Sequence, residues 1–153
     1  MEIRIEKKGQ RSRLLCIRAD GSFTQSDLGP GLPYHDLAHY VSERILGLNG
    51  GFFGQIAQGR SIVELSDKYV IPTLGPQALI AEVLARATGS MATGACLPDE
   101  FVPLVQAELT PEQQRLVSFL DKNIGKKILN EYNNIIKRYN DLPDETHLSL
   151  EWA

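Results

Sequence analysis

The chain predicts a single α+β domain over residues 1–153, with a small antiparallel sheet, made of an N-terminal meander plus a C-terminal strand, covered by three main helices. Three observations carry this. Strand-like alternation is confined to the two ends of the chain, and helical periodicity with proline starts and glycine stops fills the middle. At 153 residues, 42% hydrophobic and 23% charged, the chain has the size and composition of one domain able to bury its own core.

Taken in order, Ile3 and Ile5 alternate with charged neighbours, Lys8-Gly9-Gln10 marks a turn, and Leu14 to Ile17 forms an apolar second strand. Asp20-Gly21 signals a second tight turn, of the type I′ class in which glycine supplies a positive φ, so Phe23 to Leu28 adds a third strand. Gly29-Pro30-Gly31-Leu32-Pro33 then ends the sheet and opens a helix from about Tyr34 to Leu46, stopped by Gly47. A short extended piece is expected around Ile62 to Leu65. Pro76 opens a second helix, with Leu79, Ile80, Val83, Leu84 and Ala87 on one face, ended by Gly89.

Residues Gly89 to Pro103 read as a long loop. Thr110-Pro111-Glu112-Gln113 supplies an N-cap, an N1 proline and a capping-box glutamine for a third helix. Its stripe runs from Val117 through Ile128 and Ile135 to Tyr139, with a bend at Gly125. Leu148, Leu150 and Trp152 alternate with polar residues, so the C-terminus returns to pair with the N-terminal sheet.

Composition excludes several classes. The N-terminal segment has no apolar core of a signal peptide, no apolar run approaches the ~20 residues of a membrane span, and Cys16 and Cys96 lack disulfide-framework or CxxC spacing. A cytoplasmic location, with no membrane partner, is the expectation. The net charge is −3, yet residues 1–18 carry six Lys or Arg against Glu2 and Glu6. With no aromatic residue before Phe23, this points to solvated strand faces rather than to a nucleic-acid surface.

One segment carries chemistry. Pro33-Tyr34-His35-Asp36-Leu37-Ala38-His39-Tyr40-Val41-Ser42-Glu43 sets two of the three histidines and a carboxylate at i, i+4 and i+8. With His35 at zero on a helical wheel, His39 falls at about 40° and Glu43 at about 80°, while Leu37, Val41, Ile45 and Leu48 cluster between roughly 200° and 280°. The polar triplet therefore faces away from the apolar stripe. Imidazoles one turn apart can converge on a single Zn²⁺ at ~2.0–2.1 Å, and the helix dipole favours the neutral form of His35. Eight residues separate His35 and Glu43 by about 12 Å along the axis, so the whole triplet does not reach one ion. A third ligand must come from elsewhere, and His147 is the remaining histidine.

The spacing resembles the HExxH helix of zinc metalloproteases, with Asp36 standing where those proteins have glutamate and without their later ligand pattern, so a peptidase is not implied. Cys96 reads as an ordinary thiol. Gly50-Gly51-Phe52-Phe53-Gly54 lacks the lysine and hydroxyl residue of a phosphate loop, and Gly125-Lys126-Lys127 lacks its preceding glycine. Across residues 32–54, through the HDLxHxxxE and GFFG patterns and a terminal Leu-x-Leu-x-Trp strand, the chain resembles a group of small uncharacterised bacterial proteins. That resemblance implies no activity.

Two function classes follow. The first expectation is a non-catalytic cytosolic binding or interaction protein, a homo-oligomer or the partner of another protein, using Phe52 and Phe53 or the last helix as its contact surface and leaving His35, His39 and Glu43 as a solvated or hydrogen-bonded outer face. The second is a metal-binding protein or metal-dependent hydrolase holding a divalent transition metal such as Zn²⁺, with His35, His39 and His147 as ligands and Asp36 or Glu43 as base or third ligand.

Overall fold

A computed structural model describes residues 1–153, apart from the side chain of Leu32. Four strands, β1 (Glu2–Lys8), β2 (Arg11–Ile17), β3 (Phe23–Leu28) and β4 (His147–Glu151), form an antiparallel sheet in the order β3-β2-β1-β4. The meander and the returning C-terminal strand are thus as the alternation predicts. Ile3 stands opposite Cys16 on one side and Leu150 on the other, and Ile5 opposite Leu14 and Leu148. One face of the sheet is consequently a continuous apolar layer, and all six residues are buried.

The turns differ in one respect. Gly9 has φ 62° at the first position of the two-residue β1–β2 loop, as a type II′ hairpin requires. Between β2 and β3, Gly21 has φ 83° and donates its N–H to the Arg18 carbonyl at 3.0 Å, whereas neither Ala19 nor Asp20 has a positive φ. This is the longer type I turn closed by a glycine bulge, not the type I′ turn that Asp-Gly suggests.

Three long helices cover the apolar face: α1 (Leu32–Leu46), α4 (Pro76–Ala92) and α7 (Ile124–Asn140). Short helices α2 (Phe52–Ala57), α3 (Ile62–Leu65), α5 (Phe101–Glu108) and α6 (Pro111–Leu116) connect them. The expected extended piece at Ile62–Leu65 is instead a helical turn. Ser61 caps it, accepting the Glu64 N–H at 3.2 Å while Glu64 accepts the Ser61 N–H at 2.8 Å, and this reciprocal capping box outweighs the apolar run.

Helix α4 continues past Gly89 to Ala92, and the left-handed glycine beyond its end is Gly94. The expected loop from Gly89 to Pro103 therefore contains the end of α4 and the start of α5. Thr110 does begin a helix through its capping box with Gln113, but α6 ends at Leu116 and α7 starts afresh at Ile124. Gly125 is not a bend. It lies in the first turn of α7, where a Cβ would come 2.2 Å from the Pro98 carbonyl oxygen, so the missing side chain is what lets α7 dock there.

Helix α1 is the centre of the molecule. It packs against α2, α4 and α7, and Tyr40 donates its hydroxyl to the Glu151 carbonyl of β4 at 3.1 Å. Every residue from Asp36 to Glu43 is buried. A helix enclosed on all sides must satisfy its polar groups internally, and the polar face of α1 is therefore an interior surface.

Candidate metal centre

On that interior face, one turn apart, His35 and His39 bring their Nε2 atoms to 3.2 Å from one another. Glu82, on α4, closes the group: its Oε1 lies 3.2 Å from His39 Nε2 and its Oε2 lies 3.6 Å from His35 Nε2. Helix α4 is otherwise apolar on this side, with Ala78, Ala81 and Ala85 packed inward, so small side chains let the two helices approach and a lone acid points across the gap. His39 is 2% exposed, whereas His35 and Glu82 are about one third exposed. The group is thus anchored inside and open at one edge.

Glu43 does not share the cluster's centre, as the 12 Å rise along the helix predicts. Its carboxylate, fully buried, accepts a hydrogen bond from His39 Nδ1 at 2.9 Å, from the Phe52 N–H at 2.8 Å and from the Phe53 N–H at 3.0 Å. One charge therefore fixes the tilt of the His39 ring and caps the first turn of α2. The purpose of the glycine-rich segment follows. At Gly51 a Cβ would lie 2.4 Å from the Glu43 carboxyl carbon, so only glycine lets the chain pass over that carboxylate. Phe53 is fully buried against Tyr40 and Trp152, and Phe52 is half-buried with its ring 5.4 Å from that of His39. Of the core and interface roles that the two phenylalanines suggest, Phe53 takes the core, and Phe52 forms part of the site wall.

Electrostatics follow the same geometry. Burial acts to lower the pKa of His39, but hydrogen bonds to the Glu43 and Glu82 carboxylates prevail and raise it to about 10. Hydrogen bonds from His35 and His39 hold Glu82 well below the usual carboxylate range. Asp36 is the opposite case: burial pushes its carboxyl up to about 6, against the pull of His39 and His35. Its Oδ2 is buried and has no hydrogen-bond partner among the described residues.

His147 stands elsewhere. It pairs with Glu6 of β1 on β4, is exposed, and alternates with the buried Leu148, so it projects from the sheet face opposite the helices. The third donor beside His35 and His39 is Glu82, which the sequence reading missed. A usable signal existed, since Glu82 is the one acid between Pro76 and Ala92 in a segment rich in alanine, leucine and isoleucine. Of the two alternatives for the face of His35, His39 and Glu43, hydrogen-bonded or solvated, the structure shows the hydrogen-bonded one, and burial of His39 and Glu43 makes it interior rather than outer.

Beside the cluster lies a cavity of about 240 Å³, walled by His35, Asp36, His39, Phe52 and Glu82 together with residues of β3 and of the 62–71 segment. Other sequence candidates are inert or occupied. The Cys16 thiol is pushed up to about 12 by burial, and burial also raises Cys96. The basic N-terminal residues are largely engaged: Arg13 binds Asp27 at 2.8 Å, Arg4 binds Glu2 at 2.7 Å, Lys7 donates to the Asn140 and Leu142 carbonyls, and Arg18 to those of Ile56 and Arg60. Among the described residues, no helix is long and apolar enough to cross a membrane.

No family model matches the chain, and neither a curated protein nor a solved structure matches it. The functional reading therefore rests on the geometry of α1 and α4.

Proposed function

We propose that this protein binds a divalent transition metal, with Zn²⁺ the ion that best suits the donors, through His35 Nε2, His39 Nε2 and the Glu82 carboxylate. The observation that carries this is the convergence of the donors: the two Nε2 atoms lie 3.2 Å apart, Glu82 Oε1 lies 3.2 Å from His39 Nε2 and Oε2 lies 3.6 Å from His35 Nε2, with one ligand atom from each residue within 4.8 Å of the others. Two ligands each ~2.0–2.1 Å from a tetrahedral ion lie roughly 3.3 Å apart, so the imidazole pair already has the required spacing and the Glu82 carboxylate joins it by a side-chain adjustment. The Glu43 contact to His39 Nδ1 supplies the carboxylate support that metal-bound histidines commonly have.

Three protein donors leave a fourth position, which is the arrangement of a catalytic rather than a structural zinc site. The three donor residues line the same cavity as Asp36 and Phe52, so a ligand at that position would meet those side chains. A metal there supplies Lewis acidity and an acidified bound water, and the class of protein this favours is a metal-dependent hydrolase. The chain's own contributions are separate: Glu43 orients His39, Glu82 joins α4 to α1, and Asp36 offers a hydrogen-bond acceptor in the cavity wall.

Metal analysis after dialysis of the chelated protein against Zn²⁺ tests the reading. One equivalent bound, with a rise in Tm that Glu82→Ala abolishes, is the expected result; at 100 Kd of free metal the rise corresponds to ~2.7 kcal/mol. No stoichiometric metal, and a Tm indifferent to it, would leave the cluster as a buried ion-pair network in a non-catalytic protein.

A further inference from the structure

The cavity beside the cluster has a composition that selects its ligand. Its described lining residues include His35, Asp36, His39 and Glu82 but no Lys or Arg. Asp27, at its rim, is already paired with Arg13 at 2.8 Å. A dication held by two neutral imidazoles and one carboxylate keeps a single positive charge, and the carboxylates of Asp36 and of Glu43, which is bonded to His39 Nδ1, more than cancel it. An anionic group such as a phosphate would find no cation of the chain to receive it and one carboxylate to repel it.

Asp36 also asks for something specific. Asp36 is 8% exposed and lines the cavity; its Oδ2 is sealed from solvent, and neither carboxyl oxygen accepts a hydrogen bond from the described residues. A largely buried carboxylate without donors is costly, and the oxygen that keeps some exposure can take a donor only from outside the chain. The rest of the lining is mostly apolar, with Leu28, Ile62, Leu65, Ile71 and the half-buried ring of Phe52. The volume, about 240 Å³, is that of several water molecules at ~30 Å³ each, enough for a small organic group.

We propose that this cavity takes an uncharged ligand bearing a carboxamide-like group, its carbonyl oxygen at the open position of the His35/His39/Glu82 centre and its N–H donated to Asp36. The inference rests on the metal reading above and narrows it from hydrolase chemistry in general to ligands of the amide class, in preference to phosphoesters.

The test uses the zinc-loaded full chain, with zinc content measured before each titration. Acetamide, which carries a carbonyl and an N–H, its N,N-dimethyl analogue, which lacks the N–H, and inorganic phosphate are titrated calorimetrically. Acetamide should bind about tenfold or more tighter than the dimethyl analogue, the difference expected of one hydrogen bond to a charged acceptor, with phosphate weakest. In Asp36→Leu, carrying the same zinc, the two amides should bind alike. Equal affinities in the unaltered protein, a preference that survives in Asp36→Leu, or phosphate as the tightest ligand each overturn the proposal. Should Asp36→Leu not fold, the comparison in the unaltered protein still decides. Absence of zinc uptake at the first step overturns the metal reading itself, and is distinguished by stoichiometry from a failure of ligand choice.

Discussion

Replacing Gly51 by alanine isolates the contact on which the site's support depends. Gly51 has φ −79° and ψ −167°, an extended conformation open to any residue, so the substitution carries no backbone penalty of its own. The added Cβ would sit 2.4 Å from the Glu43 carboxyl carbon and 2.7 Å from both of its oxygens, against a normal carbon contact of ~3.5–4.0 Å. The carboxylate would have to retreat by about 1 Å. It is fully buried and held by three donors, His39 Nδ1 and the N–H groups of Phe52 and Phe53, so retreat breaks at least one of those bonds. Hydrogen bonds to a charged group are worth ~1.5–3 kcal/mol each, and a loss of about 3 kcal/mol in total is expected. Urea unfolding of the metal-free protein measures it as a lowered midpoint at constant slope. Gly89→Ala is the control: its Cβ meets nothing within 4 Å in the interior of α4, so it should stabilise by ~0.5–1 kcal/mol. A Gly51→Ala protein as stable as the unaltered one would refute the account of Glu43 as a pinned carboxylate.

The remaining predictions concern the same cluster and its frame. Glu43→Gln should weaken zinc binding by about 10- to 100-fold, because the ring of His39 loses its charged orienting partner; an unchanged Kd by competition with a chromophoric chelator would contradict this. In the metal-free protein, the raised pKa of His39 means its pairing stabilises fully below the ordinary value of 6.5 and is lost as pH climbs toward about 10. The lowered pKa of Glu82 means its pairing is present above 4.5 and is lost on acidification below that. The stability difference between the unaltered protein and Glu82→Gln should therefore peak between those limits, and a difference independent of pH would tell against both. Zinc must displace the proton of His39, so calorimetry in buffers of different ionisation enthalpy should show proton release on binding near neutral pH. Gly125→Ala, which sets a Cβ 2.2 Å from the Pro98 carbonyl oxygen, should destabilise by ~2 kcal/mol or more, since backbone cannot swing aside as a side chain can.

Legibility of the site in the sequence divides sharply by distance along the chain. The spacing of His35, His39 and Glu43 identifies one helix face and the ~12 Å rise between His35 and Glu43, because rise and rotation per residue are properties of the helix itself; Glu43, kept there as a base or third ligand, instead lies against His39 Nδ1. The same reading takes that face as an outer one, solvated or hydrogen-bonded, and the structure puts His39 and Glu43 inside. Periodicity tells which residues share a side, not what lies against that side. Glu82 is 43 residues beyond His39 on a separate helix, so no local pattern joins them. His147 suggests itself only because it is a histidine, yet strand alternation with Leu148 sends it to the opposite face of the sheet. The Gly50-to-Gly54 segment is conspicuous in the sequence but opaque, since its glycines make room for three different neighbours, Gln77 at Gly50, the carboxylate of Glu43 at Gly51 and the Asn49 backbone at Gly54.

What the sequence by itself determined is the set of features written in short-range physics: the meander, the returning strand, the proline-opened starts of α1 and α4 and the capping box of α6. Each depends on dihedral preferences or hydrogen bonds spanning a few residues. Only the tertiary structure decided that α1 is central, that Glu82 faces the two histidines and that Asp36 is left with an unmet acceptor in a cavity wall. Those outcomes come from how the alanine-rich side of α4 packs on the polar side of α1, which brings His35, His39 and Glu82 together, and burial of His39 strengthens its pairing with the Glu43 and Glu82 carboxylates because few solvent dipoles remain to screen it.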